Sequence, residues 1–192
     1  MNTNSGVVAL STSFSDIPAI STTLWFSGCN LQCHGCHNTT LKEFADGMSM
    51  HQIKHELSRR KKLTNWLVYL GGNPLDRIDV VMYISQFAHT IGYKQFLYTG
   101  YTFQQYSNMF DSSTHKTILN YFDFIKTGGY NHSLSKSCRD DARDYFFATL
   151  NQEVYKSNKK FWEKIYGYDF SLNKIIGEFI IGDNDADNLA IH

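Results

Sequence analysis

The sequence predicts an α/β protein built on a mostly parallel sheet, and three observations carry that expectation. Short β-branched or aromatic runs recur at Ser21–Phe26, Trp66–Leu70, Lys94–Thr99 and Tyr121–Lys126. Each run stops at glycine: Gly28, Gly71-Gly72, Gly100 and Gly128-Gly129. The segments between the runs carry apolar residues at helical spacing. Strands that alternate with helices favour a parallel sheet joined by right-handed crossovers.

In chain order, Val7-Val8-Ala9-Leu10 reads as a short strand and Ser15-Asp16-Ile17-Pro18 as a turn. Ser21–Phe26 is the first strong strand. A helix is expected from Ser49, which forms a capping box with Gln52, while Met48 and Ile53 are placed to staple its start. Met50, Ile53 and Leu57 mark its apolar stripe, and Arg59-Arg60-Lys61-Lys62 its solvated, dipole-matched end. Trp66–Leu70 is apolar throughout, as a strand buried on both faces should be. Val80, Val81, Ile84, Phe87, Ala88 and Ile91 line one face of the next helix, with Gly92 behind it as a C-cap. Lys94–Thr99 follows as a strand. Thr102 and Gln105 repeat the capping box, and Tyr121–Lys126 alternates as a fourth parallel strand. Further on, Asp140–Leu150 reads as a weak helix, Phe161–Tyr166 as a short amphipathic core helix and Lys174–Ile181 as a strand.

Cys29, Cys33 and Cys36 lie within eight residues, directly after the first strong strand. A loop of that size can turn three thiolates toward one centre, the soft donor set that iron or zinc takes. The loop holds no fourth cysteine. An iron–sulfur site would keep one metal position open, whereas a zinc site would be completed by His34 or His37. Cys138 stands about a hundred residues on, where packing as a small hydrophobe is the simpler reading. The glycine pair at Gly71-Gly72-Asn73-Pro74 is either a tight turn or a place where backbone approaches a ligand.

Composition narrows the rest. Of 192 residues, 42% are hydrophobic and 15% aromatic, which suits one globular domain. Eighteen basic and eighteen acidic side chains cancel, so no bulk field draws nucleic acid or an anionic membrane. No basic-then-apolar leader and no run of membrane-spanning length stands out, and a cytoplasmic location without membrane contact is the expectation. Three clustered cysteines do not resemble the spread framework of a secreted scaffold.

With these motifs in order, the chain resembles the radical S-adenosylmethionine superfamily, and most of all the activating component of anaerobic (class III) ribonucleotide reductase. The likeness rests on the Cys29/Cys33/Cys36 spacing, on Gly35-Cys36-His37-Asn38, on Gly71-Gly72-Asn73-Pro74-Leu75 and on Thr99-Gly100-Tyr101-Thr102-Phe103. Asp123 ahead of Gly128-Gly129-Tyr130, and Leu150-Asn151-Gln152, extend it to about residue 152. The chain departs from the pattern at His37, which replaces the commoner aromatic after the third cysteine, in a stretch beyond residue 155 that is longer than a minimal activating protein needs, and in two further places. Asn73 stands where relatives carry an acid, and Asp16-Ile17-Pro18-Ala19-Ile20 replaces a Gly-Pro-Gly segment that is followed by arginine.

The resemblance implies one domain over 1–192, a shortened open (β/α) barrel of mostly parallel strands, with a core over about 14–152 and a C-terminal extension over 153–192. It implies a [4Fe-4S] cluster on Cys29, Cys33 and Cys36, and no catalytic side chain beyond those ligands. S-adenosylmethionine would bind against Gly71, Gly72, Asn73, Pro74, Thr99 and Gly100. Reductive cleavage of that cofactor would yield a 5′-deoxyadenosyl radical and, from it, a glycyl radical on the large subunit of the reductase. A flavodoxin or ferredoxin would supply the electron. The protein substrate would dock on the rim around the cysteine loop and at the aromatic stretch near Phe161 and Trp162. Two alternatives stand beside this: a radical enzyme acting on another peptide or small molecule, and a non-catalytic iron–sulfur or zinc interaction module.

Overall fold

The computed structural model describes residues 4–135, 148–149 and 151–166. Among these residues, seven strands form one sheet in chain order: β1 (Val7–Ser13), β2 (Ser21–Phe26), β3 (Trp66–Gly71), β4 (Lys94–Tyr98), β5 (Phe124–Thr127), β6 (Glu153–Ser157) and β7 (Trp162–Tyr166). Strands β2 to β5 run parallel, while β1 is antiparallel to β2, and β6 and β7 continue antiparallel from β5. The fold is therefore mixed α/β, with a largely parallel sheet at its centre.

Among the described residues, four α-helices, α1 (Met50–Arg60), α2 (Ile78–Thr90), α3 (Phe103–Met109) and α4 (Ser112–Tyr121), fill the connections. Both predicted capping boxes are present: Ser49 and Gln52 close the start of α1, and Thr102 and Gln105 that of α3. Each satisfies N-terminal N–H groups that the helix itself leaves open.

All four helices contribute to the same buried cluster. Ile53 and Leu57 of α1, Val81, Ile84 and Ala88 of α2, Tyr106 of α3 and Ile118 of α4 meet Leu24, Phe26, Leu67, Tyr69, Leu97 and Ile125 of the sheet. The alternate strand residues Trp66, Val68, Leu70, Phe96 and Phe124 face the other way. They pack with Ile17 from the β1–β2 loop, Val154 and Ile165, and among the described residues no helix joins them. Period-two alternation thus divides the continuous apolar run of β3 between two cores.

Three expectations are corrected. Phe161–Tyr166 is not a helix: Trp162–Tyr166 is strand β7, paired with β6. Its aromatic spacing fits either period over so few residues, and the available edge of β6 decides the outcome. Trp162 lies half-buried against the helical core, its indole N–H 3.3 Å from the Tyr106 hydroxyl, while Phe161 is 58% exposed. Strand β6 escaped notice in the sequence. The fourth parallel strand begins at Phe124, because Tyr121 closes α4. Asp123 accordingly sits at the amino end of β5, where its carboxylate accepts from the Gln95 N–H and pairs with Lys159. Cys138, most of Asp140–Leu150 and Lys174–Ile181 lie outside the described residues.

Candidate functional site

The carboxyl ends of β2, β3, β4 and β5 converge on one cavity of about 310 Å³. That is where open α/β sheets place their ligands, since the loops leaving parallel strands gather there. Cys29, Cys33 and Cys36 all reach the cavity wall, each half-buried and unbridged.

Backbone contacts join the root of the cysteine loop to the glycine turn of β3. The Gly72 N–H donates to the Phe26 carbonyl at 2.7 Å and the Asn73 N–H to the Gly28 carbonyl at 2.8 Å. The Asn38 amide nitrogen, at the loop's far end, donates to the Gly71 carbonyl at 3.0 Å. This approach requires glycine. Gly71 holds φ near +118°, and a Cβ on Gly72 would lie 2.3 Å from the Gly28 oxygen and 2.7 Å from that of Leu41. Gly71, Gly72 and Pro74 line the cavity, as do Thr99 and Gly100.

Asn73 is placed differently. It is fully buried behind the turn; its carbonyl oxygen accepts from the Thr99 hydroxyl at 2.9 Å and the Gly100 N–H at 3.4 Å. Its amide nitrogen has no hydrogen-bond partner among the described residues.

Asp76 and Arg77, which the sequence reading passed over, hold this arrangement together with Tyr101, Asn151 and Gln152 of the motifs above. The Asp76 carboxylate accepts from the Asn30 N–H at 2.8 Å and the Tyr101 hydroxyl at 2.6 Å, and so fixes the cysteine loop to the turn after β4. Burial and the neighbouring Asp76 push the Tyr101 phenol up to about 12. Burial raises the Cys29 thiol pKa as well, partly offset by its contact with the Leu31 carbonyl; Asp76 and the other two cysteines add to the rise. The Arg77 guanidinium donates to the Ser27 and Ala45 carbonyls, each at 2.9 Å, and bridges the residue before Gly28 to the loop's return. Asn151 and Gln152 donate to the Gly129 and Gly128 carbonyls, bracketing the turn after β5. The adjacency of Asp76 and Arg77 to the glycine turn was the available signal for the first pair.

The donor set suits a soft metal cluster. Three thiols share one wall, and a Cβ on Gly129 would sit 3.0 Å from the Cys33 sulfur, so the opposite turn closes on the loop without a side chain between them. Among the described residues, no three His, Cys, Asp or Glu side chains are drawn into metal-binding geometry, and the sulfurs line the cavity without converging on one point. His34 and His37 turn to ring contacts with His132 and Tyr130. No described helix is long and apolar enough to cross a membrane.

A largely parallel sheet with a three-cysteine loop at its carboxyl edge defines an α/β protein with the donor set of an iron–sulfur site. Residues 18–154 match the family of the 4Fe-4S single cluster domain, and the chain belongs to that family. No curated protein matches it.

Proposed function

We propose that this protein is a radical S-adenosylmethionine enzyme whose substrate is a glycyl-radical protein, most like anaerobic ribonucleoside-triphosphate reductase. One observation carries the reading: the cysteine loop and the Gly71-Gly72 turn are bonded to each other through backbone and open into the same cavity. An electron carrier needs no ligand-sized space beside its thiolates. This chain has one, at the lower end of the range that small-molecule sites occupy.

The sheet supports the reading too. Strands β2 to β5 follow one another in order, and the helices join a single core on one face, the arrangement of an incomplete (β/α) barrel. Cys29, Cys33 and Cys36 would hold a [4Fe-4S] cluster. Gly71, Gly72, Pro74, Thr99 and Gly100 would form the wall for S-adenosylmethionine, with Asn73 bracing that wall from behind. A cluster held there would, once reduced, supply an electron for reductive cleavage of S-adenosylmethionine, the chemistry that radical transfer to a glycine Cα would draw on. Asp76, Tyr101 and Arg77 keep the loop in register with the turn, and the apolar strand face beneath limits water. The open side of the cavity would admit the glycine-bearing loop of the reductase large subunit, and a flavodoxin or ferredoxin would deliver the electron.

The test is anaerobic incubation of cluster-loaded protein, S-adenosylmethionine, a reductant and the large subunit of the reductase. A glycyl-radical EPR doublet on the reductase, formed with 5′-deoxyadenosine and lost in Cys36→Ala, is the expected result. 5′-Deoxyadenosine without the doublet would assign a different substrate. Neither product would leave a non-catalytic iron–sulfur module.

A further inference from the structure

The Asp76 carboxylate stands where three loops meet, and its two oxygens serve different neighbours. Oδ2 accepts from the Asn30 N–H at 2.8 Å, and Oδ1 accepts from the Tyr101 hydroxyl at 2.6 Å. Asn30 follows Cys29 directly, Asp76 belongs to the short turn Pro74–Arg77 after β3, and Tyr101 lies in the turn after β4. One negative charge therefore pins the loops leaving β2, β3 and β4, a single peptide unit from a thiol on the cavity wall.

Bracing alone does not require that charge. An asparagine amide could hold the same two neighbours, its oxygen accepting from the Asn30 N–H and its NH₂ donating to the Tyr101 oxygen. Both groups that donate to Asp76 are neutral, so these contacts fix the position of the charge without cancelling it. The adjacent cation, Arg77, turns its guanidinium to the Ser27 and Ala45 carbonyls. Tyr101 shows how close carboxylate and sulfur lie. Burial first, then Asp76, then Cys29 push its phenol up to about 12, so both groups act on one oxygen. Asp76 is half-buried, which spares its field the full screening of water.

Adding one electron to a cluster on Cys29, Cys33 and Cys36 would add one unit of negative charge beside this carboxylate. We propose that Asp76 is a potential-setting residue: its carboxylate, fixed next to Cys29 by the Asn30 N–H and the Tyr101 hydroxyl, lowers the midpoint potential of a [4Fe-4S] cluster held by the three cysteines. Like charge opposes the incoming electron. The reduced state is then harder to reach from a low-potential one-electron donor and, once reached, a stronger reductant toward whatever meets the open iron. This role rests on the cluster of the functional reading and not on S-adenosylmethionine.

The experiment is an anaerobic redox titration of cluster-loaded wild type, Asp76→Asn and Tyr101→Phe, without S-adenosylmethionine. Dithionite supplies the electrons through low-potential mediators, and the EPR signal of the reduced cluster is followed. Asp76→Asn keeps the shape and removes the charge. It should raise the midpoint until the ratio of reduced to oxidised cluster at a fixed potential grows about tenfold, or about 59 mV for one electron. Tyr101→Phe keeps the carboxylate and removes a donor that spreads its charge, so its midpoint should stay or fall.

An unmoved midpoint in Asp76→Asn overturns the proposal. An equal rise in both variants does so too, since it would mark a loosened loop and not a lost charge. If Asp76→Asn loads no cluster, Asp76→Ala takes its place, because water can reach the exposed Asn30 N–H, and the same outcomes decide. Failure of both neutral variants to load would make the carboxylate a requirement of assembly and overturn its potential-setting role. Wild type that loads no cluster removes the functional reading and this role together. A midpoint that rises in Asp76→Asn, on a cluster indifferent to S-adenosylmethionine, would keep the role of Asp76 and remove the radical chemistry alone.

Discussion

Asn73 directs its carbonyl oxygen to the Thr99 hydroxyl and the Gly100 N–H and keeps its amide nitrogen buried without a partner among the described residues. Turning the amide over would set its NH₂ against the Gly100 N–H, donor to donor, so Gly100 fixes the orientation. Where an acid would accept from a ligand's ammonium, this chain has an acceptor already in use. Asn73→Asp adds a second acceptor and a charge. It should lower the melting temperature, because the new carboxylate is buried behind the turn without a counter-charge. An unchanged melting temperature by calorimetry would contradict this assignment of Asn73. Lys126 makes a second residue-scale expectation. With its pKa near 7, below the ordinary 10.5 of lysine, the folded chain binds fewer protons than the unfolded one between those values. Its contribution to stability therefore rises with pH across that window and is least favourable below 7. Lys126→Met removes this dependence. Urea melts of both proteins at pH 6.5, 8 and 9.5 should show the variant's advantage shrinking as pH rises, and a constant difference would contradict it.

At the scale of elements, the parallel strands and the long helices were legible because their signals are local. Trp66–Leu70 is too apolar and too short for anything but a buried strand, and Ser49 with Gln52 marks the start of α1 through hydrogen bonds that span three residues. The cysteine loop and the glycine turns were legible for the same reason. The bonds between them were not. Arg77 to Ser27, Asp76 to Asn30 and Tyr101, and Asp16 under Tyr98 link positions from 25 to 82 residues apart, and no spacing rule encodes them. Strand β7 was misread because five residues carry too little periodicity, and its partner β6 defines it only in space. The glycine turn itself gives an expectation about elements. A Cβ on Gly72 would strike two backbone oxygens, whereas one on Gly100 would meet the flexible end of Leu31. Gly72→Ala should cost about 1–3 kcal/mol in thermal or urea unfolding and open the loop–turn contact. Gly100→Ala should cost less, and an equal loss in both would argue against the close backbone approach as the reason for Gly72.

At the scale of the whole molecule, the division of the sheet's two faces explains the position of the site. Among the described residues, helices cover one face and strand residues with the β1–β2 loop form the other, whose apolar wall ends in one cation at the carboxyl edge. Membership of the 4Fe-4S single cluster domain family and the three thiols on that edge make the cluster the centre of the account. The chemistry depends on whether S-adenosylmethionine meets it there. The most direct measurement is the EPR spectrum of anaerobically reconstituted, dithionite-reduced protein, recorded with and without S-adenosylmethionine, beside the same spectra of Cys29→Ala, Cys33→Ala and Cys36→Ala. A [4Fe-4S]⁺ signal that shifts when S-adenosylmethionine is added, and that each of the three substitutions abolishes, is the expected result. A cluster signal indifferent to S-adenosylmethionine, or one that survives the loss of any of the three cysteines, would contradict the account.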